Sequence, residues 1–146
     1  MAFKSFLLVS LAVGFLYGCQ ADLVDEICST SANSSFCNQI LRSRGAKNLH
    51  NLGKIALDKA LEATKATRRA VLSVGKGPTA STCVKVCQDA INNLNECRNL
   101  LKASDISTLL LKVSVALTDV ETCDDAYGGQ EPPQISQATQ RANELI

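Results

Sequence analysis

The chain has 146 residues, with 15 Lys and Arg against 14 Asp and Glu, one His, seven Cys and no Trp. This length predicts a single domain. The near-neutral charge and 4% aromatic content exclude a nucleic-acid binder built on stacking platforms and argue equally against a sugar-stacking lectin.

Taken in chain order, the first element is a leader. Lys4 precedes the apolar run Phe6–Leu16 (FLLVSLAVGFL), and small residues follow near Ala21. A positive charge, an apolar stretch too short to span a bilayer as a helix and a small-residue end predict a secretory signal peptide over 1–21. Leu16-Tyr17-Gly18-Cys19 gives a competing reading as an acylated lipoprotein box, which the bulky Tyr17 fits poorly. Loss of the leader removes Lys4, leaving 14 basic and 14 acidic residues, and only Phe36 and Tyr127 remain as aromatics. The charges segregate: between Leu41 and Lys76 nine bases meet only Asp58 and Glu62, whereas from Gly77 to Ile146 nine acids meet five bases. Oppositely charged helices packed side by side account for this, with a polyanion-binding face as the alternative.

Residues 22–44 read as a hairpin of two short helices around the Ser- and Asn-rich stretch 29–35. From Asn48 to Val74 apolar or small residues recur in steps of three and four at Leu49, Leu52, Ala56, Ala60, Ala63, Thr67, Ala70 and Val74. Gly75-Lys76-Gly77-Pro78 is expected to end this helix, with glycine in a left-handed cap. The next helix is expected from near Thr82 to Ala103, with a turn at Ser104-Asp105. A third follows from Ile106 to about Asp125, with an interior stripe of Ile106, Leu110, Val113, Leu117 and Val120. A short last helix carries Ile135, Ala138, Ala142 and Leu145. Strand alternation is absent. The expected fold is all-α: an N-terminal helical hairpin (22–44) and an antiparallel up-down-up-down four-helix bundle (47–146) whose last helix is short.

The cysteines decide between metal chemistry and packing. Cys83, Cys87, Ala90, Leu94, Cys97 and Leu101 step four, three, four, three, four, which is a bundle seam. Cys87 and Cys97 lie about 15 Å apart along one helix, beyond the reach of a disulfide. The single His50 and the lack of any Cys-x-x-Cys pair argue against a metal site. In an antiparallel hairpin turning near Ala103–Ser104, residues whose numbers sum to about 206 face each other. Cys83 and Cys123 satisfy that sum and are expected to bond, as are Cys28 and Cys37 across the Ser-rich turn. Cys87 and Cys97 are left as buried thiols, with exchange into a partner chain as the alternative.

This cysteine pattern, together with the stretches VSVALTDVETCDDAY (113–127) and CVKVCQDAINNL (83–94), resembles the plant invertase and pectin methylesterase inhibitor family across nearly all of the mature chain. Ser114, Ala116, Leu117, Thr118, Thr122, Cys123 and Asp125 stand at that family's motif positions. The chain departs from it at Cys87, where tyrosine is usual, and at Ala126-Tyr127, which replace Gly-Phe. Asn33-Ser34-Ser35 places a glycosylation sequon at Asn33 where the family has a proline within the first disulfide loop.

The resemblance implies a secreted protein inhibitor of the plant cell wall, without catalytic residues or cofactor, that covers the active-site cleft of a carbohydrate-active enzyme. LKASDISTLL (101–110) lacks the Pro-Lys-Phe stretch of tobacco-type invertase inhibitors, which favours pectin methylesterase as the target over cell-wall or vacuolar invertase. A non-inhibitory secreted bundle is the remaining alternative. Lys85, Asp89, Asn93, Glu96, Lys112 and Asp119 are expected to face outward on the second and third bundle helices and are candidate target contacts; an ordinary solvated face is the plainer reading of each. Thr122 is expected in the bundle interior near the Cys83–Cys123 bond. The short last helix is expected to leave apolar surface exposed near Leu100, Leu101, Leu109 and Leu110, unless the N-terminal hairpin covers it.

Overall fold

The structure, a computed structural model, describes residues 22–43, 45 and 48–146. The expected leader and Cys19 lie outside the described residues. Six helices follow in order: α1 (Leu23–Ser29), α2 (Ser34–Arg42), α3 (Leu49–Val74), α4 (Gly77–Ala103), α5 (Ile106–Tyr127) and α6 (Pro133–Leu145). Two compact units divide the chain, one up to Lys47 and one from Asn48 to Ile146.

In the first unit, α1 and α2 form a hairpin. Each begins on a side-chain cap: Asp22 Oδ1 accepts from the Val24 N–H at 3.1 Å, and Asn33 Oδ1 accepts from the Phe36 N–H at 3.1 Å. Two cross-links hold the pair. One is the Cys28–Cys37 disulfide, with Cα atoms 5.5 Å apart. The other is Arg42, whose guanidinium bonds both Asp22 and Asp25. Arg42 holds the Asp22 carboxyl below the usual carboxylate range.

The second unit is an antiparallel four-helix bundle in which each helix packs on two neighbours, in ring order α3–α4–α5–α6. Its interior has two parts. Leu57, Ala60, Leu61, Ala63, Ala90, Ile91, Leu94, Cys97, Ala116, Val120 and Ala142 form one. Val71, Ala80, Cys83, Cys87, Cys123 and Ile135 form the other, around the disulfide end. Every helix contributes at least one alanine to these clusters, so the axes can approach closely. Leu61, Leu94 and Ile135 fill the space between and are fully buried, each contributing about 2–3 kcal/mol. The hydroxyls of buried Thr64, Thr67 and Thr139 donate to carbonyls four residues back, at Ala60, Ala63 and Ile135, so none costs an unmet hydrogen bond.

Three features differ from the sequence reading: one helix boundary, the conformation of a glycine and the buried face of α5. Helix α4 starts at Gly77 rather than Thr82. Pro78 falls in its first turn, where the absent N–H is no loss, so the proline opens this helix instead of separating it from α3. Gly75 is extended (φ −74°) rather than left-handed. Space is what requires glycine there, since a Cβ would meet Val71 O at 2.6 Å, Ala80 Cβ at 2.9 Å and Tyr127 Oη at 3.0 Å. On α5 the buried positions are Ala116, Val120 and Cys123, with Leu109 and Val113 packed against the same core. The expected stripe through Ile106 and Leu110 is therefore rotated at its N-terminal half, and those two residues are 44% and 43% exposed.

Candidate functional site

The α4–α5 hairpin is fixed at both ends. At one end Cys83 and Cys123, both fully buried, form a disulfide with Cα atoms 4.5 Å apart. Near the other, the Cys97 thiol donates to Leu109 O at 3.7 Å. Both pairs obey the same antiparallel register, so it holds along the length of the hairpin. Ser104 makes the turn in a left-handed conformation (φ 58°), and Asp105 Oδ1 caps α5 by accepting from the Thr108 N–H at 3.1 Å. Cys87 and Cys97 carry free, buried thiols. Burial pushes the Cys87 thiol up to about 11, against the lowering field of Arg68, and raises the Cys97 thiol as well.

Four of the six candidate contact residues meet in one network across the α4–α5 seam. Lys112 Nζ lies 2.7 Å from Glu96 Oε2 and donates to Asn93 Oδ1 at 3.4 Å. Asn93 Nδ2 in turn donates to Asp119 Oδ2 at 3.4 Å. Burial raises the Asp119 carboxyl above its ordinary value, with Asp89 adding to the effect and the Asn93 hydrogen bond opposing it. Asp89 therefore borders the network through its charge, and Lys85 stands apart from it, exposed one turn nearer the start of α4.

Beside this network α5 turns an uncharged stripe outward: Leu111, Val115, Thr118 and Thr122, in steps of four, three and four. Leu111 is 63% and Val115 41% exposed. Thr122 corrects the sequence reading. It is exposed, and its hydroxyl donates to Thr118 O at 2.7 Å. Adjacent positions on a helix differ by about 100°, so a residue next to fully buried Cys123 falls off the interior stripe. Leu111 and Val115 escaped the sequence reading for a related reason. Leu109-Leu110-Leu111 offers three phases of the same helix, and only counting back from disulfide-bonded Cys123 (120, 116, 113, 109) selects the buried one.

The apolar surface expected near the hairpin turn is divided. Leu100, Leu101 and Leu109 are half-buried, the latter two against the main core, whereas Leu110 is exposed. Leu145 and Ile146 reach the same core from α6, so the short last helix closes more of the bundle than its length suggests. Among the described residues no group of three or more His, Cys, Asp or Glu side chains is placed to hold a metal ion. No described helix is long and apolar enough to cross a membrane.

Residues 22–146 match the family model described as plant invertase/pectin methylesterase inhibitor. The chain is 30% identical to a pectinesterase inhibitor of Actinidia deliciosa over 135 residues, covering 84% of this chain and 73% of that protein. It is 32% identical to pectinesterase inhibitor 1 of Arabidopsis thaliana over 132 residues, covering 85% and 75%. The fold superposes on the crystal structure of a mutant form of a pectin methylesterase inhibitor from Arabidopsis with a TM-score of 0.76 and 26% identity, over 86% of this chain and 91% of that one. A second crystal structure of a pectin methylesterase inhibitor from Arabidopsis thaliana gives 0.63 at the same identity, over 87% and 91%. With its matched segment, its two cross-links and its bundle in agreement, the chain belongs to the plant invertase/pectin methylesterase inhibitor family.

Proposed function

We propose that the protein inhibits pectin methylesterase by laying the outward α4–α5 face across the enzyme's active-site cleft. It is an inhibitor and not an enzyme, as the members of its family are. The relatives named above are inhibitors of pectinesterase, so the invertase reading is not favoured. One observation carries the choice of face: the hairpin is fixed in register at both ends and presents an uncharged stripe, Leu111 to Thr122, beside the Asp119–Asn93–Lys112–Glu96 network. A face already ordered before docking loses little entropy on binding. Exposed apolar residues flanked by polar groups also have the make-up of an interface centre and its rim.

Within this reading, Leu111 and Val115 supply apolar contact, and Asn93, Glu96, Lys112 and Asp119 supply hydrogen-bonding groups at the edge. Asp89 and Lys85 extend the same side of α4. The leader over 1–21 directs secretion to the cell wall, where Asn33 carries a glycan. Glycosylation at its Nδ2 is compatible with the fold because the cap to Phe36 uses Oδ1. Titrating the purified mature protein against pectin methylesterase and, separately, acid invertase at mildly acidic pH tests the function. Saturable loss of esterase activity with invertase unaffected is the expected result. Inhibition of invertase alone, or of neither enzyme, would overturn it.

A further inference from the structure

We infer that the outward face of α3 and the α3–α4 turn form a second binding strip, for a de-esterified polyuronate chain. Residues 63–88 hold no acidic side chain but five cations: Lys65, Arg68, Arg69, Lys76 and Lys85. The structure leaves all five without an ion-pair partner among the described residues, although Arg42, Lys59, Arg98 and Lys112 all find one. Packing of oppositely charged helices therefore does not absorb this excess.

Three of the five form a line. Lys65 and Arg69 are exposed one turn apart on α3, Leu72 follows three residues later on the same face, and Lys76 lies exposed in the turn beyond. Leu72 is 57% exposed, a large apolar side chain set among cations. The line from Lys65 to Lys76 runs roughly 16 Å along the helix direction. Arg68 flanks it, partly buried, with its Nε enclosed and without a hydrogen-bond partner. The acids at the same end of the bundle, Asp124, Asp125 and Glu131, belong to α5 and the loop that follows it. Helix α5 sits diagonally across the ring from α3; its end reaches the α3–α4 turn through Tyr127 beside Gly75, yet among the described residues none of these carboxylates forms an ion pair with the strip.

A row of cations around one apolar side chain fits a chain of pyranose rings. The carboxylates meet the cations and the C–H face of a sugar covers Leu72. Nucleic acid fits poorly, because the described part of the chain offers only Phe36 and Tyr127, both partly buried, for base stacking. The choice of a polyuronate among polyanions rests on the pectin methylesterase reading. Ester hydrolysis by that enzyme leaves free carboxylates on a uronic-acid polymer, so the strip would retain the inhibitor where the enzyme has already acted.

The test uses the mature protein with both disulfides intact, on immobilised polygalacturonate and on a fully methyl-esterified form of the same polymer. Retention on polygalacturonate at low ionic strength, at least tenfold weaker on the ester and abolished by high salt, is expected. The triple variant Lys65→Gln/Arg69→Gln/Lys76→Gln should lose at least tenfold in binding, while the triple exchange of Lys65→Arg, Arg69→Lys and Lys76→Arg keeps it. Both variants should melt as the parent does and inhibit pectin methylesterase within twofold of it. No retention, equal retention on both polymers, unchanged binding by the Gln variant, or equal affinity for single-stranded DNA would each overturn the inference. A parent protein that binds polygalacturonate but inhibits no esterase would instead refute the proposed function and leave the strip standing.

Discussion

Removing the long-range disulfide by Cys83→Ala/Cys123→Ala tests how the bundle is held. The bond closes a separation of 40 residues, which in the chain-entropy model stabilises the fold by about 4 kcal/mol. The shorter separation of 9 in Cys28–Cys37 gives about 2.5 kcal/mol in the same model. Both sulfurs of the long bond are fully buried, so their removal also loses packing contacts. No replacement bond forms within the bundle, because Cys87 and Cys97, its remaining thiols, sit about 15 Å apart along α4. The double variant is needed for this reason: a single Cys83→Ala change would leave Cys123 one turn from Cys87. For a unit of this size a loss of about 4 kcal/mol lowers the melting midpoint by roughly 15 °C or more. Urea unfolding followed by far-ultraviolet circular dichroism measures the change directly. A loss below about 1 kcal/mol would refute the reasoning that the bond constrains the unfolded chain.

Gly75→Ala should destabilise the bundle by about 2 kcal/mol, since the new methyl group must displace Val71 O, Ala80 Cβ and Tyr127 Oη; an unchanged urea midpoint would contradict the close approach. The thiols of Cys87 and Cys97 should resist alkylation in the native protein. With the Cys87 thiol near 11, only about one molecule in a thousand carries the thiolate at pH 8, and burial hinders access further. Intact-mass analysis should find both labelled only after unfolding, and rapid labelling of either in the native state would count against their burial. Asp119→Asn should stabilise the protein at neutral pH. The folded state raises the Asp119 carboxyl, so its favourable contribution is complete below the unfolded value near 3.9 and is lost as pH rises through the folded one. Asparagine keeps an oxygen for the Asn93 donor and removes the charge. Its melting advantage should shrink as pH falls below about 4, and a gap that widened in acid would reverse the sign of the argument.

Where two independent signals coincided, the fold could be read from the sequence. On α4 the steps from Cys83 to Cys97 gave the buried stripe, and the arithmetic of an antiparallel turn gave its partner on α5; both agree with the structure. On α5 the expected stripe rests on periodicity alone and is not anchored on Cys123, which fixes the buried phase. Three consecutive leucines and frequent valine and threonine fit more than one helical phase, so spacing does not separate Leu110 and Leu111, both exposed, from half-buried Leu109. The same weakness put Thr122 in the interior, although it lies beside the buried Cys123 and turns outward. Pro78 is ambiguous in the sequence because proline follows helix ends and opens helices alike; here it opens α4. The network linking Asp119, Asn93, Lys112 and Glu96 could be anticipated only as a set of outward-facing polar residues. Which of them touch depends on helix rotation and side-chain reach, and neither is encoded in spacing alone.

Inhibition of pectin methylesterase by a variant altered only on the proposed docking face tests the central claim most directly. Leu111→Asp/Val115→Asp places two charges on an exposed, uncharged stripe outside the core, so the fold and melting midpoint should be preserved. Burying those charges against the enzyme costs several kcal/mol, and the inhibition constant should weaken at least a hundredfold, while Lys54→Gln on α3 leaves it unchanged. Full inhibition by the doubly charged variant would contradict the assignment of the α4–α5 face.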